Sequence, residues 1–451
     1  MFNLDLDEKI SKKLAKVCVI GLGQVGLPTA LTFSSVGFSV IGVDINRDLI
    51  DKLNSKITPF VEHGLNDLLS TSIDGGRFTA TYDLSNSVPQ SDIILVCVAT
   101  PINDQIQPNL SFLENVCNSL SDFSLDGKLI IIESSIPPGT FEELVVPILK
   151  KSSTSNFYMA YVPERLAPGQ GLDEIQNTPR LIGSDDEISK NITEKFYKNM
   201  VKAQIVHTSI KIGQISKLVE NTYRDVNIAF ANEISRICEL YGIDVQDLIK
   251  VSNSHPRVNI LEPGPGVGGP CLPKDPYLLL NPKGHAPIKS ELISNSRNIN
   301  DNVPSRISSM VALSLKKQNK IIDDSSVLIL GTAYKNNVSD SRFSPAKNLI
   351  NQLQKIGLTV FAIDPFTDER FGAKNVNSIW DVINSIDVVV VITGHDDFKT
   401  ISLSKIKEQI SSSLTIIDTR RIFDKNECES LGIEYLSIGY SPSSTMDGCN
   451  I

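Results

Sequence analysis

Short runs of apolar residues alternate with helical stretches over the first 160 residues of the chain. Four of these runs have the length of a strand: Val17–Ile20, Ser39–Val43, Ile93–Val98 and Leu129–Ile132. Continuous apolar strands suit a parallel sheet that helices cover on both faces. A helical stretch, Gly26–Val36, lies between the first two runs and is followed by Gly37, a residue suited to a helix end. The order strand, helix, strand predicts a doubly wound α/β domain.

The middle of the chain carries apolar residues at helical steps of three and four. This pattern runs from Gly213 to Tyr241 without a proline, and Gly242 follows its last apolar position. The spacing predicts one helix about 40 Å long, at a rise of about 1.5 Å per residue. Because one small domain does not need so long a helix, we expect it to run between domains or subunits. Its apolar positions include Ile215, Leu218, Val219, Tyr223, Val226, Phe230, Ile234 and Ile237.

A second α/β pattern follows a Pro/Gly-rich segment, residues 262–276. The fold class predicted for the whole chain is therefore α/β, with two Rossmann-like doubly wound domains joined by a helical central domain that contains one long helix. We place the N-terminal domain at 1–205, the central domain at 206–310 and the C-terminal domain at 311–451. The C-terminal pattern consists of strands at Ser326–Leu330, Thr359–Ile363, Val388–Ile392 and Leu414–Ile417 and a helix at Ala346–Ile356.

Composition narrows the class of protein. The 451 residues carry 43 basic and 52 acidic side chains, a net charge of −9, which disfavours a surface that binds nucleic acid through phosphate contacts. No apolar run approaches the ~18–20 residues that cross a bilayer, and the opening residues lack the apolar core of an export signal. The seven cysteines are scattered without a Cys-x-x-Cys pair, so we expect neither a metal site nor a disulfide framework. These features favour a protein of the reducing cytoplasm.

A glycine motif directly follows the first predicted strand and opens the first helix; it reads Gly21-Leu22-Gly23-Gln24-Val25-Gly26. Gly21 permits a tight turn, Gly23 lets a pyrophosphate approach the backbone, and Gly26 lets the helix pack on the strand. The phosphates would lie at the helix N-terminus, where N–H groups favour anions. Asp44 ends the second strand, where a carboxylate binds the ribose 2′-hydroxyl. The motif predicts NAD as the cofactor, because Asp44 would repel a 2′-phosphate, although Arg47 leaves NADP open.

Two groups of polar residues in the middle of the chain are candidates for chemistry. Cys271 lies in the Pro/Gly-rich loop, and the nearby cation Lys274 would favour its thiolate. Beside a nicotinamide site this cysteine is a candidate nucleophile that forms a thioester, whereas by itself it would be a surface thiol. Lys217, Asn221 and Arg224 are spaced by four and three, so they share one face of the long helix. That face is either a row that contacts substrate or a solvated polar surface.

Charged residues also follow the predicted strands. Glu164 and Arg165 come after an apolar run, and Lys335, Arg342 and Arg420 follow strands of the C-terminal pattern. Open α/β sheets bind ligands at the carboxyl ends of their strands. The three C-terminal cations therefore favour a second, phosphorylated ligand, with scattered surface charge as the alternative.

Taken in order, these segments resemble the nucleotide-sugar dehydrogenases, over nearly the whole chain from Val17 to about Arg421. Within this family the chain is most similar to the branch that acts on N-acetylated sugars. Two positions depart from that branch, because Pro270 stands where histidine is frequent and Ser135 where threonine is common. The segments that carry the similarity are Tyr161-Val-Pro-Glu-Arg-Leu-Ala-Pro-Gly169, Lys217-Leu-Val-Glu-Asn-Thr-Tyr-Arg-Asp-Val-Asn227 and His255-Pro-Arg-Val-Asn-Ile260.

The resemblance implies a four-electron oxidation of the C6 alcohol of a UDP-N-acetylhexosamine to the uronate, with NAD as cofactor and a cysteine thiohemiacetal and thioester on the path. UDP-N-acetyl-D-mannosamine is the first candidate substrate, UDP-N-acetyl-D-glucosamine the alternative and UDP-glucose the next. Two other readings stay open: a Rossmann dehydrogenase that performs one two-electron step on a 3-hydroxy acid, and a nucleotide-sensing protein without catalysis.

The resemblance also implies roles for single residues. His255 and Arg257 would reach the substrate of a neighbouring subunit, which implies a homodimer or higher homo-oligomer. Because of the net charge and the lack of a membrane-spanning run, we expect no nucleic-acid or membrane partner. The catalytic residues would be Cys271 as nucleophile, Lys217 and Asn221 at the oxyanions, and Glu164 and Asp275 at the water. The cofactor would contact Gly21, Gly23, Gln24, Val25, Gly26, Asp44, Thr100, Ser135 and Arg342. The substrate would contact Arg165, Leu166, Lys217, Asn221, Arg224, His255, Arg257, Gly268, Lys335 and Arg420.

Overall fold

The computed structural model describes residues 5–152, 156–166, 169 and 171–440. The chain divides into two compact units. The first comprises Met1–Glu220 and Lys274–Lys289, and the second comprises Asn221–Pro273 and Ser290–Ile451. The division therefore falls within one long helix and directly after the segment that carries Cys271.

Each unit is built on one sheet. The strands are β1 (Lys16–Ile20), β2 (Ser39–Val43), β3 (Phe78–Thr81), β4 (Ile93–Val96), β5 (Leu129–Ile132), β6 (Tyr158–Tyr161), β7 (Arg180–Gly183), β8 (Ile205–Thr208), β9 (Ser326–Leu330), β10 (Thr359–Ile363), β11 (Lys374–Asn375), β12 (Val388–Val391), β13 (Thr415–Asp418) and β14 (Glu434–Leu436). The first sheet has the order β3-β2-β1-β4-β5-β6-β7-β8, and the second has the order β11-β10-β9-β12-β13-β14.

Parallel pairing joins the strands of both sheets, except that β6 and β7 pair antiparallel through Tyr161 and Gly183. Strands β4, β5 and β12 are buried along their whole length. This burial on both faces is the physical reason for their continuous apolar sequences. The carboxyl ends of β1 to β6 lie at one edge of the first sheet, and those of β9 to β14 lie at one edge of the second. The candidate residues that directly follow these strands lie at those edges.

Helices cover the sheets and form the middle of the chain. They are α1 (Leu6–Ser11), α2 (Gly26–Ser35), α3 (Arg47–Asn54), α4 (Leu65–Asp74), α5 (Leu84–Gln90), α6 (Ser111–Ser121), α7 (Val146–Leu149), α8 (Gly171–Asn177), α9 (Glu187–Tyr197), α10 (Ile210–Tyr241), α11 (Val245–Ser252), α12 (Asp275–Leu280), α13 (Glu291–Lys317), α14 (Pro345–Lys355), α15 (Asp396–Lys399), α16 (Leu403–Gln409) and α17 (Lys425–Ser430). None of the helices in the described ranges is both long and apolar enough to cross a membrane.

Helix α10 exposes much of the apolar stripe that its sequence carries. Val219 is 45% exposed, Tyr223 59% and Phe230 49%. The side chains that the helix buries are largely polar; they include Gln214, Lys217, Asn221, Thr222, Asp225, Asn232 and Ser235. Much of the apolar periodicity of α10 therefore marks a surface of this chain, and several of its polar residues are buried.

The predicted fold class is confirmed: both sheets are doubly wound, and a long helix occupies the middle of the chain. That helix begins at Ile210, three residues before the predicted Gly213. The second long helix, α13, was not predicted, because Pro304 and its many polar positions obscure the apolar period. The boundaries between the three predicted domains stay a prediction.

Candidate functional site

The glycine motif forms the turn between β1 and α2. Gly21 has a φ of +93°, and a Cβ there would lie 2.7 Å from the Cys97 carbonyl oxygen. A Cβ at Gly26 would lie 1.8 Å from the Gly21 carbonyl oxygen, whereas one at Gly23 would meet no atom within 4 Å. The first and third glycines are thus required for packing, and the second leaves open space where a phosphate can approach the backbone.

Asp44 binds this turn from the end of β2. Its carboxylate accepts hydrogen bonds from the Leu22 N–H at 2.8 Å and from the Asn46 N–H at 3.0 Å. Gln24 and Val25 are half-buried and lead into α2. Within the described part of the chain no side chain caps this helix start. A helix N-terminus that opens beside the space above Gly23 fits the phosphates of a dinucleotide.

Thr100 and Ser135 lie in the segments that follow β4 and β5. The Thr100 hydroxyl donates to the Ser135 carbonyl at 2.5 Å and accepts from the Lys274 ammonium at 3.2 Å. The same ammonium lies 3.5 Å from a carboxylate oxygen of the fully buried Asp275. Lys274 therefore links two predicted cofactor contacts to a predicted catalytic carboxylate, a role that its position beside Cys271 in the sequence did not reveal.

Glu164 follows β6 and is buried. Its carboxylate accepts a hydrogen bond from the guanidinium of Arg180 on β7 and another, at 2.6 Å, from the Arg165 N–H. The Arg165 side chain itself pairs with Glu220, and Leu166 packs against the core of the first unit. The predicted run after β6 is thus divided: Glu164 lies in a buried ion pair, and Arg165 in a separate, half-buried one.

Sequence reasoning missed two buried residues beside Glu164. Glu133 directly follows β5 and accepts hydrogen bonds from the Tyr197 hydroxyl at 2.5 Å and the Cys97 thiol at 3.1 Å. Arg180 opens β7 and pairs with Glu164. A signal for Glu133 was present, because a carboxylate directly after a continuous apolar strand is the same pattern that identified Asp44. The partner of Arg180 could not be read from the sequence.

The predicted polar row on α10 is only partly enclosed. Lys217 and Asn221, one turn apart, are 7% and 6% exposed. Arg224 and the neighbouring Tyr223 are exposed. The spacing left open whether this row contacts substrate or forms a solvated polar surface. Burial excludes a solvated surface for Lys217 and Asn221, whereas for Arg224 both interpretations stay open.

Asparagine side chains hold the segment that leads to Cys271. Such bonds replace the backbone partners that an irregular segment lacks. Three backbone N–H groups donate to asparagine side-chain oxygens: Ile260 to Asn253 at 2.7 Å, Leu261 to Asn227 at 3.0 Å and Gly264 to Asn232 at 3.0 Å.

Gly268 and Gly269 bring this segment against the loop after β9. A Cβ at Gly268 would lie 2.8 Å from the Tyr334 Cβ, and one at Gly269 would lie 2.6 Å from the Tyr334 ring. The Gly269 N–H donates to the Arg342 carbonyl at 3.0 Å. The half-buried Cys271 therefore follows a backbone segment that is fixed by packing and by hydrogen bonds.

The second sheet has a turn like the glycine turn of the first, but the carboxylate that binds it also contacts a histidine. At the end of β10, Asp364 accepts from the N–H groups of Thr332 and Ala333 at 2.7 and 2.9 Å, as Asp44 accepts from its own turn. The buried His395 lies 3.0 Å from the same carboxylate oxygen. Burial opposes ionisation of Asp364, but His395 and the backbone N–H groups outweigh it and lower its pKa to about 2. This carboxylate is therefore engaged within the protein.

The three predicted C-terminal cations lie beside strands of the second sheet. Lys335 is half-buried in the loop after β9. Arg342 is exposed and pairs with Asp340 at 2.7 Å. Arg420 donates to the Ile392 carbonyl at 2.9 Å, and burial lowers the pKa of its guanidinium to about 10. The Arg420 side chain is half-buried, so it is not a freely solvated surface cation.

His255 and Arg257 lie on an exposed segment after α11. The Arg257 N–H donates to the His255 ring at 3.3 Å. Nothing within the described chain encloses these two side chains, so their predicted contact with substrate stays a prediction.

Three family models match consecutive parts of the chain. The NAD binding domain of the UDP-glucose/GDP-mannose dehydrogenase family matches residues 15–201. The central domain of that family matches residues 212–302, and its UDP binding domain matches residues 328–425. The matches thus cover most of both sheets and most of the long helix.

Relatives resemble the chain over nearly its full length. A UDP-N-acetyl-D-mannosamine dehydrogenase of Methanococcus vannielii is 35% identical and covers 96% of this chain and 99% of its own. The structure of a UDP-D-ManNAc dehydrogenase of Pyrococcus horikoshii is 34% identical, covers 94% and 99%, and has a TM-score of 0.86. An NDP-N-acetyl-D-galactosaminuronic acid dehydrogenase of Methanosarcina mazei is 27% identical, covers 97% and 98%, and has a TM-score of 0.79. The resemblance drawn from the sequence is confirmed.

Proposed function

Since this chain belongs to the UDP-glucose/GDP-mannose dehydrogenase family of NAD-dependent dehydrogenases, we propose that it oxidises the C6 alcohol of UDP-N-acetyl-D-mannosamine to the uronate. The observation that carries this proposal is the 35% identity, over 96% of the chain, to a dehydrogenase of that sugar nucleotide. Three quite different segments of the sequence point to the same N-acetylated branch.

The first unit fits NAD. The open space above Gly23, the start of α2 and the carboxylate of Asp44 match the pyrophosphate and ribose of a dinucleotide. When bound, NAD would accept one hydride, so a four-electron oxidation uses two NAD molecules in turn. Thr100 and Ser135 would line the nicotinamide side, and the family resemblance adds Arg342 as a further cofactor contact.

Cys271 would carry the covalent chemistry. Loss of the first hydride from C6 and of the hydroxyl proton leaves an aldehyde. The Cys271 sulfur then adds to its carbon while the oxygen takes up a proton, which gives a thiohemiacetal. Loss of the second hydride and of the hydroxyl proton gives a thioester, which water hydrolyses to the carboxylate and the free thiolate. Lys217 and Asn221 would stabilise the oxyanions, and Glu164 and Asp275 would position or activate the water.

The UDP-sugar would be bound by the C-terminal cations Lys335 and Arg420 and by four residues from earlier in the sequence: Arg165, Leu166, Arg224 and Gly268. His255 and Arg257 would reach a second copy of the chain. The exposed apolar residues of α10 support such a homodimer, because a face of this kind is stabilised when a second copy covers it.

NADH formation with a panel of UDP-sugars tests the proposed function. We expect turnover of UDP-N-acetyl-D-mannosamine with two NADH per uronate, and lower turnover of UDP-N-acetyl-D-glucosamine, UDP-N-acetyl-D-galactosamine and UDP-glucose. Parallel assays with NADP test the assignment of Asp44. Activity on UDP-glucose alone would refute the substrate, and one NADH per product would favour a single two-electron oxidation.

A further inference from the structure

Two buried carboxylates of the first unit lie around one buried guanidinium. Glu164 and Arg180 form an ion pair whose side chains are 5% and 3% exposed. Glu133 lies within electrostatic reach of both and is 2% exposed. Three ionisable groups thus share a space from which water is largely excluded.

The other groups that face Glu133 carry no charge. Its two carboxylate oxygens accept from the Tyr197 hydroxyl on α9 and from the Cys97 thiol that follows β4. Burial and the neighbouring carboxylate raise the pKa of Cys97 and of Tyr197 well above their usual values, so both stay protonated. Arg180 lies with its guanidinium 5.5 Å from the Tyr197 ring centroid. Within this described cluster, the positive charge that faces Glu133 is therefore that of Arg180, which also pairs with Glu164.

One cation cannot neutralise two buried anions. When Glu133 holds a proton, Arg180 and Glu164 form a neutral pair. In that state Glu164 is a poor proton acceptor, because its protonation would leave the buried Arg180 without a counterion. When Glu133 is ionised, Arg180 keeps a counterion after Glu164 takes a proton. The ionisation state of Glu133 thus determines how readily Glu164 can act as a base.

We propose that Glu133 is a positioning residue that switches Glu164 between a locked ion pair and an effective general base for hydrolysis of the thioester. This inference rests on the proposed function. In the step concerned, the water oxygen bonds to the thioester carbon, one water proton passes to Glu164, and the C–S bond breaks with its electron pair on the Cys271 sulfur. Glu133 exchanges its proton with solvent before this step and touches neither substrate nor cofactor.

The pKa of Glu133 falls in the range that such a switch requires. Burial raises it most, the charge of Glu164 raises it further, and Arg180 and the bonds from Tyr197 and Cys97 lower it, with a result of about 7. The switch would therefore operate near neutral pH, with the base effective on the alkaline side.

The test compares the pH dependence of turnover in the wild type and in Glu133→Gln, which fixes the uncharged state. With saturating UDP-N-acetyl-D-mannosamine and NAD, wild-type turnover should rise about tenfold between about pH 6 and pH 8. Glu133→Gln should stay near the low value and change less than about threefold over that range. Intact-protein mass spectrometry after rapid quenching should show acylated enzyme in the variant at every pH, because hydrolysis is the step that is slowed.

Two further variants complete the test. Tyr197→Phe removes one hydrogen bond that favours ionised Glu133, so the rise in turnover should move to higher pH by about half a unit. This variant decides the question if Glu133→Gln does not fold. Glu142→Gln is the matched control, since Glu142 belongs to the same unit and accepts from Gln214 away from the cluster. It should keep the wild-type profile.

The outcomes separate the inference from the proposed function. A Glu133→Gln profile that rises in parallel with the wild type, or a variant without accumulated acyl-enzyme, would refute the switch, as would an unshifted Tyr197→Phe profile. A Glu142→Gln profile as flat as that of Glu133→Gln would also refute it, because the effect would then be general. A wild-type enzyme that turns over none of the UDP-sugars would refute the proposed function itself.

Discussion

The side-chain oxygen of Asn232 accepts a hydrogen bond from the Gly264 N–H at 3.0 Å. Asn232 is buried on α10, and its amide in turn donates to Asn300 on α13 at 2.9 Å. Gly264 begins the segment that ends at Cys271. Two long helices of the second unit therefore hold the backbone that presents the candidate nucleophile.

Asn232→Ala should weaken this arrangement. A buried N–H left without its acceptor costs about 1–3 kcal/mol, so the free energy of unfolding should fall by that amount. Trp380, the single tryptophan of the chain, lies in the second unit, and its fluorescence in urea follows the unfolding of that unit. Asn302→Ala, at an exposed position of α13, is the control and should change stability by less than about 0.5 kcal/mol. Equal losses in the two variants would contradict the role of Asn232.

Gly269→Ala should both destabilise the second unit and reduce turnover. The Cβ of the new alanine would have to displace the Tyr334 ring, and the φ of +92° at this position is unfavourable for alanine. We therefore expect the free energy of unfolding to fall by about 2 kcal/mol or more. Gly432→Ala provides the comparison, because Gly432 has a φ of +68° but its Cβ would meet no atom closer than 3.8 Å. The difference between the two urea midpoints measures the clash alone. If both variants unfold at the same urea concentration, the contact with Tyr334 does not constrain the segment.

Asp364→Asn should remove a pH-dependent stabilisation. The pKa of Asp364 lies at about 2 in the folded chain, below its unfolded value, so its contribution is present above about pH 4 and is lost as pH falls toward 2. The difference between wild type and variant should be about 2 kcal/mol at neutral pH and should shrink on acidification through that window. Urea titrations followed by Trp380 fluorescence measure it, with the exposed Asp368→Asn as control. A difference that does not change with pH would exclude the charge of the Asp364 carboxylate as its source.

Asp44→Asn should weaken NAD binding. The variant keeps the size of the side chain but loses the charged acceptor for the ribose hydroxyls, which is worth about 1.5–3 kcal/mol, or about a tenfold to hundredfold rise in the KM for NAD. Asp48→Asn, on the exposed first turn of α3, should leave this KM unchanged. A KM that rises equally in both variants would indicate a general charge effect.

Cys271→Ser should abolish formation of the uronate. Without the sulfur the thioester cannot form, so the variant should release at most one NADH per sugar and accumulate the aldehyde. Product analysis by mass spectrometry distinguishes aldehyde from acid. Cys238→Ala, at a fully buried cysteine that packs with Val245 and Ile249, should still give two NADH per uronate. Uronate produced by Cys271→Ser at the wild-type rate would remove this cysteine from the mechanism.

Local sequence determined the sheets, the glycine turn and the position of Asp44. Strands buried on both faces need continuous apolar residues, and the turn needs glycines at Gly21 and Gly26 because their Cβ atoms would collide with the backbone. These requirements concern neighbours in the chain and are visible in the order of residues. The candidate nucleophile Cys271 could also be singled out, because its loop and its neighbour Lys274 are local features.

Only the tertiary structure decided which face of α10 is interior and which buried carboxylates lie near the same guanidinium. The apolar period of that helix predicted its length but marks an exposed stripe, since burial follows from packing partners that the period does not name. Glu133, Glu164 and Arg180 are far apart in the sequence and meet because β5, β6 and β7 are adjacent in the sheet. Strand order thus determines which carboxylates lie near the same guanidinium. This order cannot be read from the pattern of residues along the chain.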